Sequence, residues 1–370
     1  MSDLDSETGG AVEVQPRAAH SGGGAILVAA GVFFSRIAGL IRDRVFAHFF
    51  GSSDAADAFK AAFRIPNFLQ NLFGEGTLSA SFIPVYARLL AEEREEDSGR
   101  VAGAVAAILS LVVALSVLAG VLLTPWLIAL IAPGFSGAKR ELTIQLVRIL
   151  FPGAGLLVLS SWCLGILNSH RKFFLSYAAP IGWNAVMIAA LVIWGPRQQQ
   201  FDLAPTIAWA SVAGSGLQLL VQLPMVLRLA KHLRIRIDLK MAEVRTVVKN
   251  FFPVFFGRGV IQISSYVDEL LASLLPTGAF AALSYAQTLY LLPVSLFGMS
   301  VSAAELPAMS SVVGDEKEIS GYLQKRLNSG LRRIAFFIIP SAIAFLALGD
   351  VVVAAIYQTG RFGHREVIHV

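Results

Sequence analysis

The sequence predicts an all-helical protein that crosses a membrane many times, and both its composition and its hydropathy pattern support this fold class. Of its 370 residues, 55% are hydrophobic and only 15% are charged, and the mean hydropathy is +0.66. Soluble domains have about 25% charged residues. In lipid the backbone is satisfied only in helices or closed barrels, and the long apolar runs lack the alternation of barrel strands. Roughly ten spans of about 20 residues fit into this length.

The chain begins with a polar segment, residues 1–24, whose acidic side chains and Ser21-Gly-Gly-Gly ending indicate a disordered tail. An acidic start does not fit a cleaved signal peptide, so the first helix is expected to be an uncleaved signal-anchor. The single cysteine, Cys163, excludes a disulfide framework.

Hydropathy predicts nine helices and the start of a tenth at Asp350, several of them bent by proline. A basic loop divides the chain into a six-helix lobe (25–228), a cytoplasmic linker (229–245) and a partial second lobe (246–370) with three helices and the start of a fourth. In transporters built from repeats, two such lobes enclose a central cavity. The predicted helices are 25–50, 58–90, 101–131, 141–168, 175–194, 203–228, 246–275, 279–312 and 328–348.

Alternate loops are rich in lysine and arginine, and this asymmetry predicts the orientation of the chain. The basic loops lie at 88–100, 171–172, 228–249 and 317–333. Because cytoplasmic loops carry an excess of lysine and arginine, these loops and the N-terminus are predicted to be cytoplasmic. The same bias explains the net charge of +5 without a nucleic-acid partner. The 228–249 loop is also a candidate for binding anionic membrane lipids.

Charged side chains in the first two helices are the strongest indication of function. A charge at the centre of a bilayer costs about 2.5–3.5 kcal/mol, so these residues are expected to line a hydrated cavity or to bind an anion. Arginine pairs bidentately with phosphate oxygens, which favours a phosphate-bearing ligand. Ion pairs that only fix helix packing are the alternative. In the first helix, Arg36 and Asp43 share a face and Arg42 points elsewhere; in the second, Arg64, Asn67, Asn71 and Glu75 form one polar stripe.

The seventh helix carries another polar face, which is either a cavity wall or ion site, or an ion pair that holds the second lobe together. No phosphate-binding P-loop and no nucleophile–base arrangement is found, so neither an ATP-driven pump nor a hydrolase is expected. The spacing of His364 and His369 does not fit a metal site. We expect no organic cofactor; a coupling ion or the membrane potential are candidate energy sources. The residues of the polar face are Arg258, Gln262, Ser265 and Glu269, with Asp268 adjacent.

Several motifs resemble those of the MurJ (MviN) family. They are SRIAGLIRD, DAADAFKAAFRIPN and LFGEGTLSASFIPVYARL in the first two helices, followed in order by ILFPGAGLLVLSSWCLGILNS, APIGWNAVMI, LQLLVQLP, ELPAMSS and IYQTGRFG. The resemblance covers the chain from Ala25 onward. It implies a fold of the MOP exporter superfamily, similar to MATE transporters, and no enzymatic reaction. It also implies a flippase that moves lipid II, an undecaprenyl-diphosphate-linked disaccharide-pentapeptide, across the bacterial inner membrane.

The resemblance further implies which residues contact the substrate. Carried over position by position, they are Ser35, Arg36, Arg42 and Asp43 in the first helix and Asp57, Arg64, Pro66, Asn67 and Glu75 in the second. The family usually has a basic pair where this chain has Gln70 and Asn71, and an Arg and a Glu where it has Thr288 and Leu291. Arg258 is therefore a candidate substitute for the absent cations.

The family has about fourteen helices, whereas this sequence ends at Val370, just after Gly360-Arg361-Phe362. We therefore expect an incomplete second lobe and a truncated reading frame. The sequence favours a lipid II flippase that works by alternating access, with the lipid-linked precursor, membrane lipids and the cell-wall synthesis machinery as partners. Three alternatives are a flippase for another polyprenyl-diphosphate-linked glycan, a non-transporting membrane scaffold of that machinery, and an integral-membrane glycosyltransferase.

Overall fold

The computed structural model describes residues 22–298, 301, 305, 309 and 316–370; the side chains of 22–29, 75, 261, 263–265 and 316–318 are not among the described atoms. The predicted tail therefore lies outside the described residues, apart from Gly22 to Gly24, which begin the first helix. Every secondary-structure element of the described part is a helix, apart from one isolated bridge between Thr359 and Phe362. The predicted all-helical fold class is confirmed.

From α1 to α10, and from α11 to α12, the helices follow one another through short turns, except for the longer linker between α8 and α9. They are α1 (Gly22–Phe50), α2 (Asp54–Phe73), α3 (Glu75–Ser81), α4 (Ile83–Ala91), α5 (Glu95–Ile131), α6 (Gly137–Ser169), α7 (Phe173–Trp194), α8 (Gln200–Leu229), α9 (Ala242–Ser273), α10 (Ala279–Pro293), α11 (Glu316–Tyr357) and α12 (His364–His369). One π-helical turn, Val294–Gly298, follows α10.

Length and hydropathy qualify six of the described helices as membrane spans. A helix needs about 20 apolar residues to cross the hydrocarbon core, and each of these segments contains such a stretch. The polar residues singled out by the sequence lie mainly on α1, α2 and α9, outside this set. The six spans are Glu95–Ile131, Gly137–Ser169, Phe173–Trp194, Gln200–Leu229, Ala279–Gly298 and Ile319–Tyr357.

The prediction of one continuous helix over 58–90 is wrong, because the chain breaks at Gly74 and again at Phe82. Gly74 has an extended backbone (φ −84°, ψ −152°), and a β-carbon there would collide with the carbonyl oxygen of Gln70. Pro84 then lies in the first turn of α4, where its missing N–H is tolerated. As a consequence, Glu75 does not continue the stripe of α2 but begins α3.

Three other predicted boundaries can be compared with the structure. The predicted helix 279–312 is regular only to Pro293, and most of its last part lies outside the described residues. The predicted break between the ninth and tenth helices is confirmed by a kink inside α11 at Leu348 (φ −134°, ψ 23°). α11 begins at Glu316, earlier than the predicted residue 328.

Following the predicted division, we call α1–α8 the first lobe and α9–α12 the second lobe, and the turns between the helices collect at two ends. The Phe50 end contains the turns 51–53, 132–136, 195–199, 274–278 and 358–363. The Arg94 end contains the turns 92–94 and 170–172 and the linker 230–241. At the Phe50 end one hydrophobic core includes residues of both lobes, such as Phe46, Phe59, Tyr285, Tyr357 and Phe362. The two lobes are therefore joined at that end by apolar packing.

Candidate functional site

A cluster of charges lies where α1 and α2 face α10. The Asp43 carboxylate is buried and receives Arg42 Nη2 at 3.3 Å and Lys60 Nζ at 3.1 Å. The hydroxyl of Thr288, on α10, lies 3.5 Å from its other oxygen. Arg42 and Asp43 therefore interact although they are neighbours in sequence, contrary to the prediction that they point in different directions.

Helix α7 orients the Arg42 side chain. Asn184 donates from Nδ2 to the Pro180 carbonyl, which leaves its Oδ1 to accept from Arg42 Nη1 at 3.1 Å. The guanidinium also lies 4.9 Å from the centre of the Trp183 ring, and that ring is fixed because its Nε1 donates to the Ser211 carbonyl. A cation over an indole face is favoured electrostatically. These contacts set the position of Arg42 before any ligand binds.

Arg64, one helical turn after Lys60 on α2, also makes a charged contact between the lobes. Its Nε lies 2.5 Å from Oε1 of Glu269 on α9, and its Nη2 donates to Gln287 on α10. The Tyr266 hydroxyl donates to the Arg64 carbonyl at 3.5 Å. Glu269 is 2% exposed, and its Oε2 has no hydrogen-bond partner in the described structure. We call Arg42, Asp43, Lys60, Arg64, Glu269, Gln287 and Thr288 the central layer.

Asp57 lies apart from the central layer and has a different environment. Its side chain is 1% exposed and accepts hydrogen bonds from the backbone N–H groups of Gly278 and Ala281, both at 2.8 Å. These two groups begin α10, so Asp57 supplies the N-terminal cap of a helix in the other lobe. Lys139 is the third partner of the Asp57 carboxylate, with its Nζ 2.5 Å from Oδ2.

Two residues of α1, Arg44 and His48, make polar contacts with the second lobe at the end of α11. Arg44 Nη1 donates to the carbonyls of Ala355 at 2.9 Å and Ile356 at 2.8 Å, which belong to the last turn of α11. His48 Nδ1 lies 2.8 Å from the Thr359 hydroxyl. We call the contacts of Asp57, Arg44 and His48 with the second lobe the closing contacts. All three lie at the Phe50 end.

The remaining predicted site residues lie toward the Arg94 end or on its side of the central layer. Arg36 is exposed, and within the described part of the chain no ion pair to it is found. Ser35 and Asn67 are half-buried, and Pro66 is buried inside α2. Glu75 is placed only by its backbone, at the start of α3.

Arg258 does not pair with Glu269 as the interpretation of an ion pair within the second lobe required. Glu269 instead contacts Arg64 of the first lobe. The exposed Arg258 guanidinium lies directly against Gly76 on α3, where a side chain on residue 76 would not fit. Arg258 therefore lies beside the start of α3 and not in the central layer.

Lys60 is a central-layer cation that the sequence indicated as a charge in an apolar segment but that was not among the predicted substrate-binding residues. A signal was present, because Lys60 stands four residues before Arg64 and extends the polar stripe of α2 by one turn. Asn184, Gln287 and Thr288 were missed as site residues because single amides and hydroxyls on apolar helices are also common as packing contacts.

The central layer carries an excess of positive charge. Arg42 and Lys60 share the single carboxylate of Asp43, whereas Arg64 and Glu269 balance each other one to one. Counted as formal charges, the cluster therefore has one net positive charge at the contact between the lobes. Such a site is complementary to an anion. Over the described residues, no group of three or more His, Cys, Asp or Glu side chains is placed to hold a metal ion.

Comparison with known proteins identifies relatives along nearly the whole chain. The family model described as lipid II flippase MurJ matches residues 46–370. The lipid II flippase MurJ of Burkholderia cenocepacia is 30% identical over 352 residues, 93% of this chain and 67% of that protein. The probable lipid II flippase MurJ of Rhizobium tropici is 32% identical over 91% of this chain and 63% of that protein. The chain thus spans about two thirds of the length of the curated relatives it matches.

Solved structures show the same fold. A lipid II flippase MurJ in an inward closed conformation matches with a TM-score of 0.75 and 29% identity, over 93% of this chain and 70% of that one. An inward-facing multidrug resistance MATE family transporter of the MOP superfamily matches with a TM-score of 0.69 and 16% identity, over 93% and 78% of the two chains, which bears on the fold alone. Both the predicted MATE-like architecture and the predicted family are confirmed: the chain belongs to the lipid II flippase MurJ family.

Proposed function

We propose that the protein moves lipid II, the undecaprenyl-diphosphate-linked precursor of peptidoglycan, across the inner membrane by alternating access. The observation that carries this proposal is the surplus positive charge of the central layer in a member of a lipid II flippase family. A diphosphate is a multivalent anion, and arginine and lysine in surroundings of low dielectric hold it strongly. Transport then requires the two lobes to separate first at one end and then at the other.

We propose the orientation that the basic loops predict, with the N-terminus and the Arg94 end in the cytoplasm. The closing contacts then lie on the outer side, and substrate enters from the Arg94 end. A Ser53→Cys variant in a Cys163→Ala background should react with a membrane-impermeant maleimide in cells whose inner membrane is intact. Reaction only after permeabilisation would reverse the orientation.

We propose that Ser35, Arg36, Arg42, Asp43, Arg64, Asn67 and Glu75 contribute to the substrate path, with Arg258 beside it at the start of α3. Arg36 is exposed and lies closer to the Arg94 end than the central layer does, so it is suited to meet the diphosphate first. Asp57 contributes by holding α10 rather than by binding phosphate, because lysine and two backbone N–H groups already occupy its oxygens. Membrane lipids and the cell-wall synthesis machinery complete the proposed partners.

Translocation of fluorescent lipid II in proteoliposomes tests this function, beside complementation of cells depleted of their own flippase and immunoblots of the membrane fraction. Arg36→Ala should reduce translocation about tenfold or more at normal protein levels, since a charge-assisted contact to phosphate is lost. Arg36→Lys should be intermediate, because the charge stays and the bidentate fork is lost.

The exposed Arg228, at the cytoplasmic end of α8, provides the matched control, and Arg228→Ala should translocate normally. If the unmodified protein transports another polyprenyl-diphosphate glycan and not lipid II, it is a flippase for that glycan. The differences from the family at Gln70, Asn71 and Thr288 are the sequence feature that motivates this alternative. If it complements growth without translocating any such lipid, it is a scaffold.

A further inference from the structure

Lys60 is held in an unusual position for a charged side chain at the contact between the lobes. Its side chain is 14% exposed, and its Nζ lies 3.1 Å from Asp43 Oδ1. The same atom lies 5.0 Å from the centre of the Phe46 ring and 4.8 Å from that of Tyr285. The ammonium therefore has one carboxylate on one side and aromatic faces on two others, and cation–π attraction stabilises it there.

The number of donors exceeds the number of acceptors around this ammonium. A lysine carries three N–H donors, and among the described residues Asp43 is the acceptor within hydrogen-bonding distance. The Tyr285 hydroxyl is already used, because it donates to the Gly51 carbonyl at 3.1 Å. Asp43 in turn is shared with Arg42. Lys60 thus has unused donors and holds the surplus charge of the central layer.

We propose that Lys60 is a phosphate-binding residue of the transport site, and that a bound diphosphate draws its ammonium away from Asp43. This inference rests on the proposed function. Phosphate oxygens offer the acceptors that Lys60 lacks, and the compact ammonium can turn toward them by rotation of its flexible stem. The class of ligand is a lipid-linked diphosphate, which carries more negative charge than the phosphodiester of an ordinary phospholipid.

The same movement affects the contact between the lobes. Lys60 contacts Tyr285 and Asp43 contacts Thr288, and both partners lie on α10, one turn apart. When the diphosphate takes Lys60 from Asp43, the cation–π contact to α10 is lost as well. Substrate binding at Lys60 therefore loosens one of the contacts that keeps α10 against the first lobe, which links recognition to the conformational change.

Binding of undecaprenyl diphosphate to the purified protein in detergent tests this inference, with undecaprenol and phosphatidylglycerol as the comparison ligands. Lys60→Met should weaken undecaprenyl diphosphate binding about tenfold or more, because a hydrogen bond to a charged group is lost, and should leave undecaprenol binding unchanged. Lys172→Met, an exposed lysine in the α6–α7 turn, is the matched control and should bind like the unmodified protein.

The double variant Asp43→Asn/Lys60→Met separates phosphate binding from neutralisation of Asp43. It removes one charge of each sign, so the net charge of the cluster is unchanged and the fold is not left with an unpaired carboxylate. If Lys60 binds phosphate, the double variant stays about tenfold weaker. If it binds undecaprenyl diphosphate as tightly as the unmodified protein, Lys60 only neutralises Asp43 and the inference is wrong. The double variant decides the question even where Lys60→Met alone fails to fold.

The other ligands distinguish this inference from the proposed function itself. If the unmodified protein does not prefer undecaprenyl diphosphate to undecaprenol, the proposed function fails. If that preference is present and Lys60→Met retains it, only the role of Lys60 fails. An equal loss of phosphatidylglycerol binding would show that the site serves phospholipid headgroups, and would overturn the assignment to a diphosphate.

Discussion

The closing contacts and the central layer both join the two lobes through charged residues of α1 and α2, but they use those charges differently. At the Phe50 end the partners are helix termini: Asp57 accepts from the first N–H groups of α10, and Arg44 donates to the last carbonyls of α11. Each sign of charge meets the terminus that the helix dipole favours. In the central layer the partners are other side chains, and the cations outnumber the carboxylates at Asp43.

This difference separates charges that hold a conformation from charges that are able to receive a ligand. The Asp57 carboxylate already accepts from two backbone N–H groups and Lys139, and its negative charge repels an incoming anion. An ammonium or guanidinium that shares one carboxylate has donors to spare. A charged residue in a membrane helix is thus a general indication of function, and its partners indicate which function.

The largest expected effect is that of Asp57→Ala on stability. It leaves the half-buried Lys139 with a single, more distant carboxylate partner, Asp54 at 3.2 Å, and leaves two N–H groups of α10 without an acceptor. We expect a loss of about 3 kcal/mol or more, seen as a lower apparent Tm in detergent. Asp54→Ala is the matched control, since Asp54 is 45% exposed and also contacts Lys139; its effect should be much smaller. An unchanged Tm for Asp57→Ala with loss of translocation would place Asp57 with the ligand-binding charges.

The second prediction concerns Arg64, which belongs to the central layer but is balanced by Glu269. Arg64→Ala leaves a buried carboxylate without its cation, and we expect a loss of about 2 kcal/mol because Arg64 itself is 31% exposed. Arg64→Ala/Glu269→Gln should recover most of the Tm. If Arg64 also contacts substrate, this double variant stays defective in lipid II translocation; normal translocation would make Arg64 a packing partner only.

The sequence predicted these regions to different extents. Composition and hydropathy predicted the helical membrane fold, and the kink near Asp350 followed from a local break in the apolar pattern. The break at Gly74 was missed because helical periodicity continues across it, and only the steric fit of Gly74 against Gln70 reveals it. From helical geometry alone we predicted no contact between Arg42 and Asp43, and this was wrong. Helical geometry gives the directions of the β-carbons, but it does not say how far a long arginine side chain reaches.

Contacts between the lobes could not be predicted from a single sequence. Asp57 was recognised as a charge in an apolar segment, but its role depends on α10 beginning beside it, more than 200 residues later in the chain. Glu269 matched the spacing of Arg258 on its own helix, yet its partner is on α2. Lys60 was the exception, because extending the stripe of α2 by one turn would have included it.

The third prediction sharpens the comparison at the Phe50 end. Arg44→Ala removes two hydrogen bonds to the last turn of α11, but the side chain is exposed, so we expect a loss of only about 0.5–1 kcal/mol. The closed end should also open more often. In a Cys163→Ala background, a Thr359→Cys variant should therefore react faster with a maleimide when Arg44 is alanine. Unchanged reactivity would show that the cap of α11 does not contribute to closure.

The smallest expected effect is at the opposite end, where His170 contacts Tyr86 in the turn that follows α6. The His170 Nε2 lies 3.0 Å from the Tyr86 hydroxyl, and burial lowers the pKa of His170 below its ordinary value. The unfolded chain, with an ordinary histidine pKa of about 6.5, then binds a proton more readily than the folded protein. The stability that neutral His170 contributes above about pH 6.5 is therefore lost as the pH falls below that value.

Because His170 is partly exposed, water screens the effect, and we expect the apparent Tm to fall by at most about 2 °C between pH 7.5 and pH 5.5. His170→Gln keeps a partner for Tyr86 and does not titrate, so this part of the pH dependence should disappear. His232→Gln, which changes an exposed histidine of the linker at the same end, should keep the dependence of the unmodified protein. If both variants keep the same pH dependence, the contact between His170 and Tyr86 does not contribute to it.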